Sequence, residues 1–324
     1  MIYSPHGRDL LTLFEQRFEA ENPDVDLRYL DMGSQDALDR VRSERANPQA
    51  DVWFGGPSSL FLRAADDSLL APYRPTWADH VDPRGRGDGD LYFAVYETPG
   101  VISYNNAALR HPDSVADGRR VAPADWDDVL DPSWRDDILI RDPIASGTMR
   151  AIFGMIIQRG LRQTGDTAAG FAWLRRLDAN TKEYVLNPSL MDQMIIRQEG
   201  LVSLWDLPDI LIEQSKGSPM GYVLPPSGAP VIEDAVALVR GSPNPDVARR
   251  FVEWIGTTEA QLLAARAVYR LPARLDLPAD SIPAWLRDVR AHMVVETMDW
   301  RLLSEQGSAW MQWWDRHVRN KGRR

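Results

Sequence analysis

The first part of the chain alternates short apolar runs with amphipathic segments. Over residues 8–21, leucines and phenylalanines recur three or four positions apart, which is the spacing of one helix face. Strands are predicted at 2–4, 25–30 and 50–54, and a second helix at 35–47. Because Gly- and Ser-containing turns connect these segments, the pattern predicts an α/β fold with a mainly parallel sheet.

The same alternation continues through the second part of the chain and predicts another α/β lobe. Further strands are predicted at 91–96, 100–104, 137–140, 183–186, 201–205 and 231–239. Further helices are predicted within 126–134, where Pro132 ends the helix, around 149–156, and at 171–177, 188–198, 245–255 and 257–267. From residue 281 onward the pattern is again helical, and a stripe including Trp310 and Trp314 favours core packing over a partner-binding face.

Composition narrows the classes of protein that the chain can represent. Its 324 residues suggest about two domains. The 37 Lys and Arg against 47 Asp and Glu give a net charge of -10, which disfavours a nucleic-acid binder. The absence of cysteine excludes disulfides, thiolate metal sites and cysteine nucleophiles. The first strand begins at Ile2 without a lead-in, so we expect a processed start in which a signal peptide has been removed.

Several predicted strands end in small polar residues at a helix start. These turns are Ser4-Pro5-His6-Gly7, Gly33-Ser34, Gly55-Gly56-Pro57-Ser58-Ser59, Ser146-Gly147-Thr148 and Asn187-Pro188-Ser189. Ligands of open α/β sheets bind outside the carboxyl ends of strands. A helix N-terminus there offers unpaired N–H groups and a partial positive charge, which suits a phosphate or carboxylate. Each serine or threonine is also an ordinary N-cap candidate, so the prediction depends on the repetition.

Motifs of the common enzyme classes are missing. The sequence has no G-x-S-x-G, Walker or H-E-x-x-H pattern, and its five histidines are dispersed. Asp206 and the pair Glu233-Asp234 fall near predicted strand ends, where a surface or hinge charge is the alternative interpretation. We therefore predict no catalytic residue, no cofactor and no metal site.

Four stretches resemble the extracellular solute-binding proteins of ABC importers, in the branch that includes binders of ferric iron, hexose phosphates, phosphoglycerate and aminoethylphosphonate. They are residues 3–7, 47–56, 70–73 and 142–148, and the resemblance covers roughly residues 2–270. It implies a type II periplasmic-binding-protein fold, with two α/β lobes joined by crossover strands and a ligand held between them by domain closure. On that basis, the expected domains are lobe 1 (1–95 and 235–280), lobe 2 (96–234) and a helical C-terminal extension (281–324).

The resemblance also indicates which ligand to expect. Ferric members bind iron through adjacent tyrosines after the strand that here ends in Leu204-Trp205-Asp206, and this chain has no tyrosine there. Hexose-phosphate binders have His-Asp at that place. Asp206 keeps the carboxylate and would accept a hydrogen bond from a substrate hydroxyl, while Trp205 would stack on a carbon face.

We therefore expect the substrate-binding protein of an ABC importer, a periplasmic or extracytoplasmic monomer that delivers a sugar phosphate, glycerol phosphate or phosphonate to the permease transmembrane subunits. The predicted ligand-binding residues are Ser4, His6, Gly7, Ser34, Gly56, Ser58, Glu97, Ser146, Gly147, Thr148, Trp205, Asp206 and Glu233. The alternatives are a ferric or other metal-ion binder using Glu97, Asp206 and Glu233, a ligand-sensing subunit for a sensor kinase, and an enzyme on the same scaffold.

Overall fold

The computed structural model describes residues 1–322, so Arg323 and Arg324, at the end of the predicted extension, lie outside the described residues. The strands within residues 1–322 are β1 (Ile2–Ser4), β2 (Tyr29–Asp31), β3 (Val52–Pro57), β4 (Leu70–Ala71), β5 (Phe93–Asn105), β6 (Leu109–Arg110), β7 (Arg120–Val121), β8 (Ile138–Arg141), β9 (Thr181–Val185), β10 (Val202–Asp206), β11 (Met220–Val223), β12 (Val231–Val239) and β13 (Leu271–Pro272). The helices in the same range are α1 (Gly7–Glu21), α2 (Ser34–Ser43), α3 (Ser58–Asp66), α4 (Gly147–Thr164), α5 (Ala168–Asn180), α6 (Pro188–Ile196), α7 (Leu207–Ser215), α8 (Pro245–Ile255), α9 (Thr258–Ala267), α10 (Ala284–His292) and α11 (Trp300–His317). Among these described helices, none has the length and apolar content to cross a bilayer.

The chain divides into two compact units. Unit 1 comprises Met1–Thr98 and Ile232–Asp288, and unit 2 comprises Pro99–Val231 and Val289–Arg324. The chain passes from one unit to the other within β5, at the start of β12 and within α10. The chain changes unit after residues 98, 231 and 288, whereas the predicted boundaries lie after residues 95, 234 and 280.

The sheet of unit 1 is built around β1, which pairs in parallel with both β2 and β3. β12 pairs antiparallel with β3, and β4 adds to β12. The helices α1, α2 and α3 follow β1, β2 and β3 in the chain. Because the carboxyl ends of parallel neighbours meet at one edge of a sheet, the N-termini of these three helices share that edge.

The core of unit 1 lies on both faces of β3, whose six residues are all buried. Neighbouring strand residues point to opposite faces. Trp53 accordingly stacks on Phe61 of α3, with ring centroids 4.1 Å apart, while Phe54 faces Phe14 of α1 at 6.0 Å. This two-sided burial explains why the strand is a continuous apolar run.

The sheet of unit 2 has the same arrangement around β8. This strand pairs in parallel with β9 and β10, while β10 and β11 pair antiparallel with β5. The helices α4, α6 and α7 follow β8, β9 and β10. The C-terminal α11 packs on α4, where Trp314 meets Phe153 with ring centroids 5.5 Å apart. Core packing is confirmed for Trp310 and Trp314, which are 8% and 0% exposed.

Three segments differ from their predicted form. The helix predicted within 126–134 is wrong in type, because the segment forms two 3₁₀ turns, Trp126–Leu130 and Pro132–Trp134, although the first turn ends before Pro132 as predicted. Proline disfavours helical backbone at the preceding residue, and Asp131 is extended there (φ -64°, ψ 131°). The strands predicted at 91–96 and 100–104 form the single strand β5. The strand predicted at 25–30 is restricted to β2, whose pairing with β1 begins at Tyr29.

Candidate functional site

The carboxyl edge of the unit 1 sheet brings together the N-termini of α1, α2 and α3. The N-cap residues of α2 and α3 are Gly33 and Pro57, which have no polar side chain. The N-cap residue of α1 is His6, whose side chain makes no capping bond within the described chain. The first-turn N–H groups of these helices therefore lack the partner that an N-cap side chain usually supplies.

The three turns that precede these helices lie in contact with one another. A Cβ added to Gly55 would lie 2.5 Å from Nε2 of His6, and one added to Gly56 would lie 3.1 Å from Oγ of Ser34. Both glycines also have left-handed backbone, with φ values of +99° and +103°. Glycine is required at both positions, because space and backbone conformation exclude a side chain.

The buried carboxylate of Asp234 holds the β3–α3 turn through hydrogen bonds. Oδ1 of Asp234 accepts a hydrogen bond of 2.9 Å from the N–H of Gly56, and Oδ2 accepts one from the hydroxyl of Thr98. Asp234 is 6% exposed and lies on β12 opposite Pro57, next to a register shift in the β12–β3 pairing. Its carboxylate thereby links three segments of unit 1: the β3–α3 turn, β5 and β12.

Three buried polar atoms in or beside the first turns of these helices have no hydrogen-bond partner among the described residues, namely Oγ of Ser58, Nε2 of His6 and Oε1 of Gln35. The His6 ring packs on Phe54 with centroids 4.6 Å apart. Burial and the nearby Arg270 guanidinium lower the pKa of His6 well below its ordinary value. The imidazole is therefore neutral at physiological pH and can make one more hydrogen bond through Nε2.

The remaining main-chain and hydroxyl groups of the β1–α1 turn have local roles. Oγ of Ser4 accepts a hydrogen bond of 3.2 Å from the N–H of His6. The guanidinium of Arg270 donates to the carbonyl of His6 over 2.9 Å. Gly7 has a φ of +75° with open space at its Cβ position. These bonds hold the turn in a conformation that leaves its glycine accessible.

Glu97 and Glu233 lie on β5 and β12, each one residue before a member of the Asp234–Thr98 pair. Burial raises the pKa of Glu233 to about 7; Arg84 opposes this shift, and Glu97 and Asp82 add to it. Glu233 is therefore partly protonated near neutral pH. It can donate or accept a hydrogen bond there.

The carboxyl edge of unit 2 also has three helix N-termini, but each of them is capped by a side chain. The capping bonds run from the N–H of Met149 to Oγ of Ser146 (3.2 Å), from the N–H of Leu190 to Oδ1 of Asn187 (3.0 Å) and from the N–H of Asp209 to Oδ1 of Asp206 (3.2 Å). The ordinary N-cap interpretation of the polar turns is thus confirmed for Ser146 and Asn187. One first-turn N–H group of each helix is already occupied.

The two residues predicted to contact the organic part of a ligand are both largely buried within unit 2. Trp205 is 5% exposed, and its indole N–H donates to Oδ2 of Asp209 over 3.0 Å. Asp206 is 6% exposed and caps α7. A role of either residue toward a ligand stays a prediction.

The structure places the predicted site residues at the carboxyl ends of the parallel strands of each unit, and these strands belong to one eleven-stranded sheet among the described residues. In unit 1 it brings together Ser4, His6, Gly7, Ser34, Gly56 and Ser58. Glu97 lies on β5, where the chain leaves unit 1, and Glu233 lies on β12, where the chain returns to it. In unit 2, Ser146, Gly147 and Thr148 begin α4, while Trp205 and Asp206 end β10. Sequence reasoning missed Thr98 and Arg270, which no motif marks.

No group of three or more His, Asp or Glu side chains placed to hold a metal ion occurs among residues 1–322. The donors gathered at the unit 1 edge are instead hydroxyl, imidazole and main-chain N–H groups. These groups suit an oxyanion better than a cation.

Known proteins share this architecture. Residues 15–290 match the family model described as bacterial extracellular solute-binding protein. The chain is 24% identical to y4fP of Sinorhizobium fredii, named as an ABC transporter periplasmic-binding protein, over 96% of this chain and 84% of that protein. It is 25% identical to a Salmonella typhimurium periplasmic protein named for 2-aminoethylphosphonate binding, over 79% and 72% of the two chains. The solved structure of AfuA from Actinobacillus pleuropneumoniae, described with exogenous fructose-6-phosphate bound, matches with a TM-score of 0.84 and 23% identity over 98% and 97% of the two chains.

These similarities confirm the predicted type II periplasmic-binding-protein fold. The family and its structural neighbours are binding proteins and not enzymes, as predicted. The family match covers most of the chain and is found in bacterial proteins that work outside the cytoplasmic membrane. The chain therefore belongs to the bacterial extracellular solute-binding protein family.

Proposed function

We propose that this chain is the substrate-binding protein of an ABC importer and that it captures a small organic phosphonate or phosphate ester. The observation that carries the proposal is the edge of unit 1, where three helix N-termini without a side-chain capping bond lie beside the unpartnered Ser58 Oγ and His6 Nε2. A tetrahedral oxyanion accepts several hydrogen bonds and is stabilised by helix N-termini.

The magnitudes of these interactions are sufficient for useful affinity. Each helix-end interaction is worth up to about 2 kcal/mol in a partly buried geometry. Each charge-assisted hydrogen bond adds about 1.5–3 kcal/mol. Three or four such contacts, less the cost of ordering the ligand, correspond to roughly micromolar binding.

The names of the similar proteins support the same chemistry. One relative is named for 2-aminoethylphosphonate, and one structural neighbour is described with fructose-6-phosphate. These two compounds differ in their organic parts and share a phosphorus oxyanion. We therefore assign the oxyanion to main-chain N–H and hydroxyl groups, including those of Ser146, Gly147 and Thr148, and the organic part to Trp205 and Asp206.

Delivery to permease transmembrane subunits and closure of the two units over the ligand complete this proposal. Both are implied by the family resemblance. Closure predicts a smaller radius of gyration in the presence of ligand, which small-angle X-ray scattering measures.

A thermal-shift screen followed by calorimetry tests the ligand class. The compounds are 2-aminoethylphosphonate, fructose 6-phosphate, glycerol phosphate and ferric citrate, with sulfate as the anion control. A ligand at one hundred times its Kd stabilises the folded state by about 2.7 kcal/mol, which raises the Tm by several degrees. A response to ferric citrate alone would overturn the proposal.

Variants of the chain test which groups bind the anion. Ser58→Ala, and Ser146→Ala combined with Thr148→Ala, should each weaken binding of the responding phosphonate or phosphate ester at least tenfold. Ser215→Ala is the control, because that hydroxyl donates to a carbonyl at the opposite end of α7. Unchanged affinity in both test variants would remove the assignment of the anion to these turns.

A further inference from the structure

The turn between β8 and α4 is held by a residue from the C-terminal end of the described chain. Arg319, which follows α11, donates from Nη2 to Oδ2 of Asp142. The Asp142 side chain is only 7% exposed, and its Oδ1 accepts a hydrogen bond of 2.8 Å from the N–H of Ile144. Asp142 therefore links the backbone of this turn to the guanidinium of Arg319.

The position of Arg319 is itself fixed by the main chain around it. The carboxylate of Asp178, which is fully buried, accepts hydrogen bonds from the N–H groups of Asn320 (2.8 Å) and Gly322 (2.7 Å). A Cβ at Gly322 would lie 2.7 Å from the backbone nitrogen of Ala179, so the segment docks closely on α5. Residues 320–322 are thus anchored, and Arg319 reaches Asp142 from an ordered backbone.

The far side of the same turn is held by a second guanidinium. Arg150, in the first turn of α4, donates from Nε to the carbonyl of Pro143 (3.2 Å) and from Nη2 to the carbonyl of Ile144 (2.5 Å). Arg150 satisfies main-chain carbonyls, whereas Arg319 is paired with the carboxylate of Asp142. Loss of Arg319 would therefore leave a buried negative charge four residues before Ser146.

We propose that Arg319 is a positioning residue for the anion-binding turn of unit 2. Its ion pair orders residues 142–146 and neutralises Asp142, so that Ser146, Gly147 and Thr148 face an oxyanion without an opposing charge beside them. The inference rests on the proposed function, in which this turn contacts the ligand. It concerns a residue beyond 15–290, the segment that the family model matches.

Hydrogen exchange of the ligand-free protein tests the ordering of the turn. Arg319→Ala should speed exchange of the amides in residues 142–149 at least tenfold, because the turn loses its tie to the C-terminal segment. The matched control is Asp315→Asn, which removes the other ion pair of Arg319 (2.8 Å) and leaves the Asp142 contact intact. Exchange as slow in Arg319→Ala as in the unmodified chain would overturn the inference.

Calorimetry with 2-aminoethylphosphonate and fructose 6-phosphate tests the charge effect. Arg319→Ala should weaken binding at least tenfold, Asp142→Asn no more than about threefold, and the double variant should bind as Asp142→Asn does. This rescue of binding is expected because the double variant buries no unpaired charge. The double variant also keeps the test usable if Arg319→Ala alone fails to fold. If the double variant binds as weakly as Arg319→Ala, the charge effect is wrong. If Arg319→Ala speeds hydrogen exchange but the unmodified chain binds neither compound, only the proposed function is wrong.

Discussion

Both units place helix N-termini at the carboxyl ends of parallel strands, but they differ in whether a side chain caps those helices. In unit 2 the polar residue stands at the N-cap position and bonds to the helix, as Ser146 does with the N–H of Met149. In unit 1, Ser34 and Ser58 come one residue later, directly after the N-cap residues Gly33 and Pro57, and their side chains do not cap the helices. A shift of one residue therefore separates a turn whose side chain caps its own helix from a turn that leaves the first N–H groups of its helix without a side-chain cap.

The largest expected effect is that of Asp234→Ala. This change removes the acceptor of the Gly56 N–H and the Thr98 hydroxyl, and leaving buried donors unsatisfied costs about 3–4 kcal/mol in total. Urea unfolding measures the loss. Asp234→Asn keeps an acceptor for the N–H of Gly56 and should cost less than half as much. If Asp234→Ala costs under 1 kcal/mol, unit 1 does not depend on this carboxylate.

Gly55→Ala should have the next largest effect. It should lower the free energy of unfolding by about 3 kcal/mol, because of left-handed backbone strain and the clash with His6. Two controls share the positive φ and have open space at the Cβ position, Gly7→Ala in unit 1 and Gly165→Ala in unit 2. Each control should cost about 1 kcal/mol in thermal or urea unfolding. Equal losses in all three variants would show that the contact between the turns adds nothing.

The pH dependence of stability gives a third test. The pKa of Glu233 is raised from 4.5 to about 7. Between these values the folded chain holds a proton that the unfolded chain releases, so the Glu233 contribution destabilises the folded chain as pH rises from 4.5 to 7. Glu233→Gln removes this dependence and should gain about 2 kcal/mol over the unmodified chain between pH 5 and pH 8. A constant difference between the two urea-unfolding profiles would contradict the raised pKa.

His6 should change stability with pH in the opposite direction. Its lowered pKa means that the unfolded chain binds a proton near pH 6.5 that the folded chain does not. The stability contributed by neutral His6 is therefore complete above pH 6.5 and is lost as the pH falls below it. His6→Gln should flatten the acid side of the urea-unfolding profile, and an unchanged acid side would contradict the burial of a neutral imidazole.

The smallest effect concerns the capped edge of unit 2. Asn187→Ala removes one N-cap bond and should cost about 1 kcal/mol. Because the cap serves α6, binding of 2-aminoethylphosphonate or fructose 6-phosphate should change less than twofold in calorimetry. A tenfold loss of affinity with unchanged stability would mean that the turn before α6 contacts the ligand, in addition to the turn before α4.

Much of the fold could be predicted from the sequence because local patterns determine it. The apolar spacing of α8 and the apolar residues on either side of Glu233-Asp234 in β12 predicted their bounds, Pro245–Ile255 and Val231–Val239. The helix predicted within 126–134 and ended by Pro132 forms 3₁₀ turns instead, and the extended Asp131 before Pro132 separates the two turns.

The candidate site was predictable only in part. Its serines and glycines could be named from strand–turn–helix boundaries. Their division into capping and non-capping residues depends on which residue takes the N-cap position, and sequence predicts helix ends only to within a few residues. The bond from Arg270 to the His6 carbonyl joins positions 264 apart, so no local pattern marks it.

The most direct test of the account is a map of backbone amide signals by NMR, recorded during titration with 2-aminoethylphosphonate or fructose 6-phosphate. We predict downfield amide-proton shifts in the first turns of α1, α2 and α3, and in Gly147 and Thr148, because these N–H groups donate to the oxyanion. Saturable binding with shifts confined to residues outside these turns would contradict the account.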